Sequence, residues 1–281
     1  MAEFPYQKSL ALIIFSNGRK CMRTFSQLII HKTLDTIESM KIGDYTEFGF
    51  SYHKNFFKEE ELSRIEPILI KFHNFWLEEN SEIYLKGALN SHSLTSSKNL
   101  NKQEKKILFD FISSNRIINL IEFDSPKFLN TQLFFDPNNL NQNNYWHRDI
   151  QYTGISETEQ KEVIKTQNVV HFRIPLKKEL GIELIPKTHR IWDSNEEYEV
   201  RNSLNNRKPN DPLKKGKLIE LRRSDLLIFS ANMIHRGIYG NDRLSFDIIY
   251  CNNNPQILKF RDGNNLPIEF ELKEFNNAEI F

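Results

Sequence analysis

Short apolar runs make up the sequence from about residue 128 onward, and they constrain the fold more than any other feature. Asn, Pro, Gly and Asp separate the runs, and each run is shorter than an ordinary helix, which is typical of β-strands bounded by turns. The pattern therefore predicts a mainly β chain, with candidate strands at residues 128–135, 169–176, 181–185, 217–221, 226–230 and 244–250.

The part of the chain between Met40 and residue 128 has a helical texture instead. A segment that opens at about residue 58 repeats apolar residues at helical spacing, and residues 103–121 show the same periodicity. In the first segment the apolar positions are Leu62, Ile65, Ile68, Leu69 and Phe72. Helices followed by many short strands favour a β-sandwich or jelly roll with flanking α-helices, buttressed by the N-terminal helices.

Domain organisation is expected to be simple. The chain shows no internal repeat and no Gly/Ser-rich or Pro-rich linker, so residues 40–281 are predicted to form one domain. Residues 1–39 are expected to be a poorly ordered N-terminal extension, and within residues 1–33 the only acid is Glu3. No signal-peptide pattern is recognisable, and no apolar run approaches the roughly 18 residues that span a bilayer. No membrane partner is therefore expected.

Charge and cysteine content narrow the functional classes further. The chain has 38 Lys and Arg against 37 Asp and Glu, a net charge of +1, which argues against nucleic acid as a partner. Its two cysteines, Cys21 and Cys251, lie far apart and form no CxxC pattern. They indicate a reducing, cytoplasmic location and argue against a disulfide scaffold or a structural zinc site.

A His-x-Asp pair and a distant histidine suggest a metal site. His147 and Asp149 follow a predicted strand and an Asn-rich turn, and residues two apart in an extended segment point to the same side. Such a pair alone is weak, because it often arises by chance. His235 follows an apolar strand and precedes Gly237, where the chain must turn. Two imidazoles and one carboxylate form the facial set that holds Fe(II) and leaves coordination positions open.

An arginine after the distal histidine adds a co-substrate to this interpretation. Arg243 stands at the start of the next predicted strand. A 2-oxo acid that chelates the iron still has a distal carboxylate to neutralise, and a buried guanidinium offers a bidentate fork for it. The order His-x-Asp, His, Arg is much more specific than any one of its parts.

These residues resemble the phytanoyl-CoA dioxygenase-like family of Fe(II)/2-oxoglutarate-dependent oxygenases. Residues 181–190 are also similar to that family's Pro-Gly-Ser-His-Arg signature, although Lys187 stands where the family usually has Gly. The resemblance covers about residues 45–250. It implies a double-stranded β-helix (a jelly-roll, cupin-like barrel), Fe(II), 2-oxoglutarate as co-substrate, O2, and succinate and CO2 as by-products. Relatives that halogenate lack the carboxylate of Asp149, so its presence favours hydroxylation.

Several neighbouring residues have two interpretations each. Gln132 is expected either to hydrogen-bond the co-substrate or to satisfy a strand neighbour. His171 and Arg173 alternate on one face of a predicted strand, which faces either solvent or, as the resemblance implies for Arg173, the cavity. Trp146 and Tyr152 flank the metal pair and are candidates either for substrate-pocket walls or for the core.

The predicted function is a dioxygenase that hydroxylates a small-molecule substrate. The alternatives are a metal-binding jelly-roll protein without chemistry, and a metal-dependent hydrolase or isomerase. Cupin-type sites of the latter kind favour His-x-His with Glu and lack a buried arginine beyond the distal histidine. The polar segment 193–223 is expected to be either a solvated excursion or a lid over the barrel mouth.

Overall fold

The computed structural model describes residues 41–281. The predicted N-terminal extension, residues 1–39, lies outside this described part, so the division into an extension and one domain stays a prediction. None of the helices in residues 41–281 is both long enough and apolar enough to cross a membrane.

Ten strands within the described residues form two antiparallel sheets. The larger sheet has seven strands, in the order β1 (Lys41–Ile42), β2 (Phe50–His53), β8 (Leu226–Ser230), β5 (Val169–Pro175), β10 (Leu244–Asn252), β4 (Pro126–Phe135) and β3 (Asn90–His92). The smaller sheet has three strands, in the order β7 (Lys217–Leu221), β6 (Glu179–Leu184) and β9 (His235–Gly237). The prediction of a mainly β chain with flanking helices is therefore confirmed.

Most of the helical residues precede β4. The α-helices are α1 (Tyr45–Phe48), α2 (Glu59–Glu79), α3 (Ser81–Leu85), α4 (Lys102–Ile112), α5 (Asn115–Ile118), α6 (Glu157–Val163), α7 (Asn195–Arg201) and α8 (Pro255–Leu258). Four 3-10 helices cover Asp149–Tyr152, Gly263–Asn265, Glu269–Glu274 and Ala278–Ile280. A capping box begins α4, where the Asn101 side chain accepts from the Glu104 backbone N–H and Glu104 accepts from that of Asn101, both at 2.9 Å.

The main hydrophobic core lies between the N-terminal helices and one face of the larger sheet. Alternate residues of β5, Val170, Phe172 and Ile174, are buried in one cluster with Leu62 of α2 and Leu108 of α4. Burying an apolar side chain of this size contributes about 1.5–3 kcal/mol. Because side chains alternate along a strand, the residues between them in β5 point to the opposite face.

A second hydrophobic cluster joins the two sheets. Leu227 and Phe229 of β8 pack with Ile182 and Leu184 of β6 and with Ile219 of β7. The smaller sheet thus covers part of the face of the larger sheet that the helices leave open. The polar residues of β5 therefore lie between the two sheets, where a site can be shielded from bulk water.

Two sequence-based expectations are wrong in detail. The region just after Met40 is not simply helical, because β2 pairs with β8 at the start of the domain. The segment 193–223 is not wholly solvated, because the side chain of Asp193 is buried between Arg148 (2.7 Å) and Arg201 (2.6 Å). No residue of the segment lines either cavity described below, so a lid over the barrel mouth stays a prediction.

Candidate metal centre

Backbone pairing brings the two halves of the candidate site together. His147 and His235 form an isolated antiparallel bridge in which each N–H donates to the other's carbonyl oxygen at 3.0 Å. The Asp149 N–H donates to the carbonyl oxygen of Ala231 at 2.9 Å. Asp149 begins a 3-10 helix rather than continuing an extended strand, yet its side chain still meets the two imidazoles.

The three predicted metal ligands converge on one point. Asp149 Oδ1 lies 3.5 Å from Nε2 of His147 and 3.6 Å from Nε2 of His235. One ligand atom from each of the three residues lies within 4.8 Å of the others. Atoms so placed can bind one cation together, and two nitrogens with one oxygen suit a divalent transition metal.

Main-chain carbonyls set the orientation of both imidazoles. Nδ1 of His147 lies 3.1 Å from the carbonyl oxygen of Tyr145, and Nδ1 of His235 lies 2.9 Å from that of Met233. A carbonyl oxygen only accepts, so each Nδ1 carries the proton and each Nε2 keeps its lone pair toward the site. Burial lowers the pKa of His235 to about 3, which keeps this imidazole neutral.

A buried relay of charged groups stands behind Asp149. Its second oxygen, Oδ2, lies 2.9 Å from Nε2 of His171, whose Nδ1 lies 2.9 Å from Oδ2 of Asp247. The Arg173 guanidinium donates two hydrogen bonds to the Asp247 carboxylate, at 2.8 and 2.9 Å. The Asp149 carboxylate is thus anchored through one oxygen while Oδ1 faces the imidazoles.

The pKa values in this relay reflect competition between burial and partner charges. Burial alone would raise the pKa of Asp149, but the hydrogen bond from His171 and the facing imidazoles hold it well below its usual range. Burial opposes the charged form of His171, yet hydrogen bonds to Asp149 and Asp247 raise its pKa to about 9. Burial likewise opposes ionised Asp247, and Arg173 and His171 lower its pKa to about 2.

Arg243 lines the same cavity as the three candidate ligands. This cavity, called here the arginine cavity, has a volume of about 560 Å³. Arg243 is buried, its Nε lies 3.2 Å from Oε2 of Glu179, and its backbone N–H donates to Asp136 at 3.1 Å. A Cβ on Gly237 would stand only 2.9 Å from Nη1 of Arg243, so glycine at that position makes room for the guanidinium.

Of the other predicted site residues, four line the arginine cavity: Gln132, His171, Arg173 and Tyr152. Nε2 of Gln132 lies 3.0 Å from Nδ1 of His92, so Gln132 does satisfy a strand neighbour, and its Oε1 is buried without a partner among the described residues. The solvent-face interpretation of His171 and Arg173 is wrong, because both are buried between the sheets.

Trp146 is a core residue and does not reach either cavity. Its side chain is fully buried in a cluster with Ile185 and Ile234, and its Nε1–H donates to the carbonyl oxygen of Asp211 at 2.9 Å. The Arg236 guanidinium lies 4.3 Å from the ring centroid. The substrate-wall prediction for Trp146 is therefore wrong: the residue next to a ligand in sequence points away from the site.

Sequence reasoning missed several polar residues of the site. Asp247 and Glu179 are the buried carboxylates that face Arg173 and Arg243, and Tyr145 and Tyr239 also line the arginine cavity. A charged residue inside a mostly apolar strand, as Asp247 is in β10, was an available signal.

A second cavity adjoins the first. It has a volume of about 450 Å³ and is called here the apolar cavity. Gln132, Asp149 and His171 line both cavities, so the candidate metal centre lies where the two meet.

Comparisons with known proteins identify solved structures that share the fold of this chain. No protein-family model matches the chain, and no curated protein matches its sequence. Among solved structures, HygX from Streptomyces hygroscopicus, determined with nickel and 2-oxoglutarate bound, has a TM-score of 0.53 and 12% identity, covering 82% of this chain and 88% of its own. AviO1 from Streptomyces viridochromogenes Tue57 has a TM-score of 0.52 and 14% identity, covering 74% of this chain and 92% of its own. At this identity the likeness shows that the chain shares their fold.

Proposed function

We propose that this chain is an Fe(II)- and 2-oxoglutarate-dependent dioxygenase that hydroxylates a small molecule. One observation carries the proposal: two neutral imidazole nitrogens and one carboxylate oxygen converge in a cavity that a buried arginine also lines. The shared fold with HygX, which was solved with nickel and 2-oxoglutarate, supports it.

The donor set suits Fe(II). His147 Nε2, Asp149 Oδ1 and His235 Nε2 would bind one face of the ion and leave the opposite positions for the co-substrate and O2. The imidazoles already have the required tautomer, and Asp149 already has one oxygen held by His171. Little reorganisation is needed on metal binding, which favours affinity.

Arg243 suits the distal carboxylate of 2-oxoglutarate. Glu179 bonds its Nε, so the two terminal nitrogens form a fork for a carboxylate. Glu179 also fixes the guanidinium plane, and a buried charge held in this way loses little entropy when it binds. The metal-dependent hydrolase alternative gives no role to a buried arginine in the same cavity as the ligands.

Bound iron would supply the oxidising chemistry, with O2 and 2-oxoglutarate consumed and succinate and CO2 released. The protein's own part is to hold the ion, orient the 2-oxo acid and shield both from bulk water. We further propose that the two sheets form a double-stranded β-helix, and that the chain belongs to the phytanoyl-CoA dioxygenase-like group, which the order of His147, Asp149, His235 and Arg243 supports.

An anaerobic titration tests the proposal. Fe(II) and 2-oxoglutarate added together to the protein should give the weak visible charge-transfer band of a chelated 2-oxo acid. Asp149→Ala should abolish the band, whereas Asp124→Ala, which changes an exposed carboxylate outside both cavities, should keep it. No band from the unmodified chain, or an unchanged band from Asp149→Ala, would exclude this function.

A further inference from the structure

The apolar cavity is the feature that the proposed function leaves without a role. We propose that it binds the primary substrate, and that this substrate is an uncharged, largely hydrocarbon small molecule. This inference rests on the proposed function, because it assigns the second of two adjoining compartments at the same metal centre.

Aliphatic side chains supply most of the apolar lining of this cavity. Leu129, Val169 and Ile249 come from three adjacent strands of the larger sheet, β4, β5 and β10, and Val163 and Ile257 come from α6 and α8. The volume of about 450 Å³ lies within the range of ~300–1,000 Å³ that is usual for small-molecule sites. Such walls gain most from a ligand that buries apolar surface.

Four ionisable residues are among those that line this cavity. Asp149 and His171 are bonded to each other at 2.9 Å, so neither is left to neutralise a substrate charge. The other two ionisable residues among those lining the cavity, Glu159 and Lys259, are exposed and carry opposite charges. A charged group buried against the aliphatic side chains, away from these four residues, would have no compensating partner, which costs several kcal/mol.

The two compartments therefore divide the reactants by charge. The arginine cavity has Arg243 for an anion such as 2-oxoglutarate, and Arg243 does not line the apolar cavity. Because Asp149 lines both, a molecule that fills the apolar cavity places one end against the metal ligand. Gln167 and Asn232, which also line the apolar cavity, carry neutral amides, and these tolerate an alcohol, ketone or ether on the substrate.

A matched pair of fluorescent probes tests the charge preference. N-phenylnaphthylamine is neutral, and its anilinonaphthalene sulfonate counterpart adds one negative charge to the same rings. We expect the neutral probe to bind the protein loaded with Mn(II) and 2-oxoglutarate, and to bind about tenfold or more tightly than the sulfonate. Saturating 2-oxoglutarate should not displace it, because the co-substrate occupies the other cavity.

Variants locate the probe. Leu129→Trp fills the apolar cavity and Val163→Glu adds a charge to its wall, so each should weaken binding of the neutral probe about tenfold. Ile83→Trp, at an exposed position of α3 outside both cavities, should leave it unchanged. Displacement by 2-oxoglutarate, equal binding of the sulfonate, or unchanged binding by both cavity variants would overturn the inference. Failure of the proposed function is separate, since it shows as a missing Fe(II)/2-oxoglutarate band before any probe is added.

Discussion

Replacing Arg243 should separate its role in binding 2-oxoglutarate from its role in stability. Arg243→Met removes the guanidinium but keeps an unbranched apolar stem in the buried position. Losing one partner of a buried, hydrogen-bonded charge pair costs about 2–5 kcal/mol. The dissociation constant of 2-oxoglutarate should therefore rise roughly 30-fold to several thousand-fold, measured by anaerobic titration of the Fe(II)-loaded protein.

The same substitution should destabilise the chain. The Glu179 side chain is completely buried, and within residues 41–281 its carboxylate would keep only Ser245 as a side-chain hydrogen-bond donor once Arg243 is replaced. Breaking a buried ion pair costs about 3–5 kcal/mol in the free energy of unfolding. The double variant Arg243→Met/Glu179→Gln removes the uncompensated charge, so it should regain most of the stability without regaining 2-oxoglutarate affinity.

A lysine at position 243 distinguishes the charge of the arginine from its forked geometry. Arg243→Lys keeps the charge but loses the fork, so its affinity for 2-oxoglutarate should fall between those of the unmodified chain and Arg243→Met. If the double variant is folded in urea titrations and binds 2-oxoglutarate as tightly as the unmodified chain, Arg243 is not the anchor. Arg173, the other arginine of the arginine cavity, would then be the candidate.

Three further predictions concern the surroundings of the site and the turn beside α1. His171→Phe removes the donor that holds Oδ2 of Asp149, so the affinity for Fe(II) should fall ~10–100-fold by metal titration, while Arg173 still neutralises Asp247. Burial lowers the pKa of His189 from 6.5 to about 4, so its neutral form stabilises the fold above pH 6.5, and this stability is lost as the pH falls toward 4. The free energy of unfolding should drop over that interval by less than the ~3 kcal/mol that the full shift would give, because solvent screens part of the effect, and His189→Phe should flatten the slope. Lys187 adopts a left-handed conformation (φ 71°), so Lys187→Gly should raise the melting temperature by relieving about 1 kcal/mol of strain, and an unchanged or lower value would contradict this.

The strands were predictable because their local pattern agrees with their final environment. The predicted runs at 217–221 and 226–230 coincide with β7 and β8, and the other predicted strands differ from the observed bounds by one or two residues. β2 was not predicted, because Phe50–His53 is short and its strand character depends on pairing with β8. β9 was not predicted either, because His235–Gly237 is also short and its strand character depends on pairing with β6.

The convergence of the ligands was predictable from motif order, but their supporting contacts were not. The order of the motifs in the sequence indicates that His147, Asp149 and His235 can meet. The contact between Asp247 and Arg173, in contrast, forms because β10 and β5 pair with those two residues opposite each other. That register is a property of the assembled sheet. Trp146 illustrates the converse, since adjacency to His147 in sequence says nothing about which way its ring points.

Lys187 has a left-handed backbone at a position where glycine would be unstrained. It stands where the phytanoyl-CoA dioxygenase-like family, to which we propose the chain belongs, usually has Gly, and it adopts this conformation at some cost in strain. Its N–H donates to the carbonyl oxygen of Phe48 at 2.8 Å, and its Nζ lies 2.9 Å from Glu47. The turn therefore forms without glycine, and these two contacts hold Lys187 in its left-handed conformation.

A crystal structure grown without oxygen, with Mn(II) and 2-oxoglutarate, tests the central claim most directly. Anomalous scattering would locate the metal, and we expect it on Nε2 of His147, Oδ1 of Asp149 and Nε2 of His235. The 2-oxo acid should chelate that ion with its distal carboxylate on the terminal nitrogens of Arg243. A metal bound elsewhere, or a metal at these three atoms with 2-oxoglutarate outside the arginine cavity, would contradict the account.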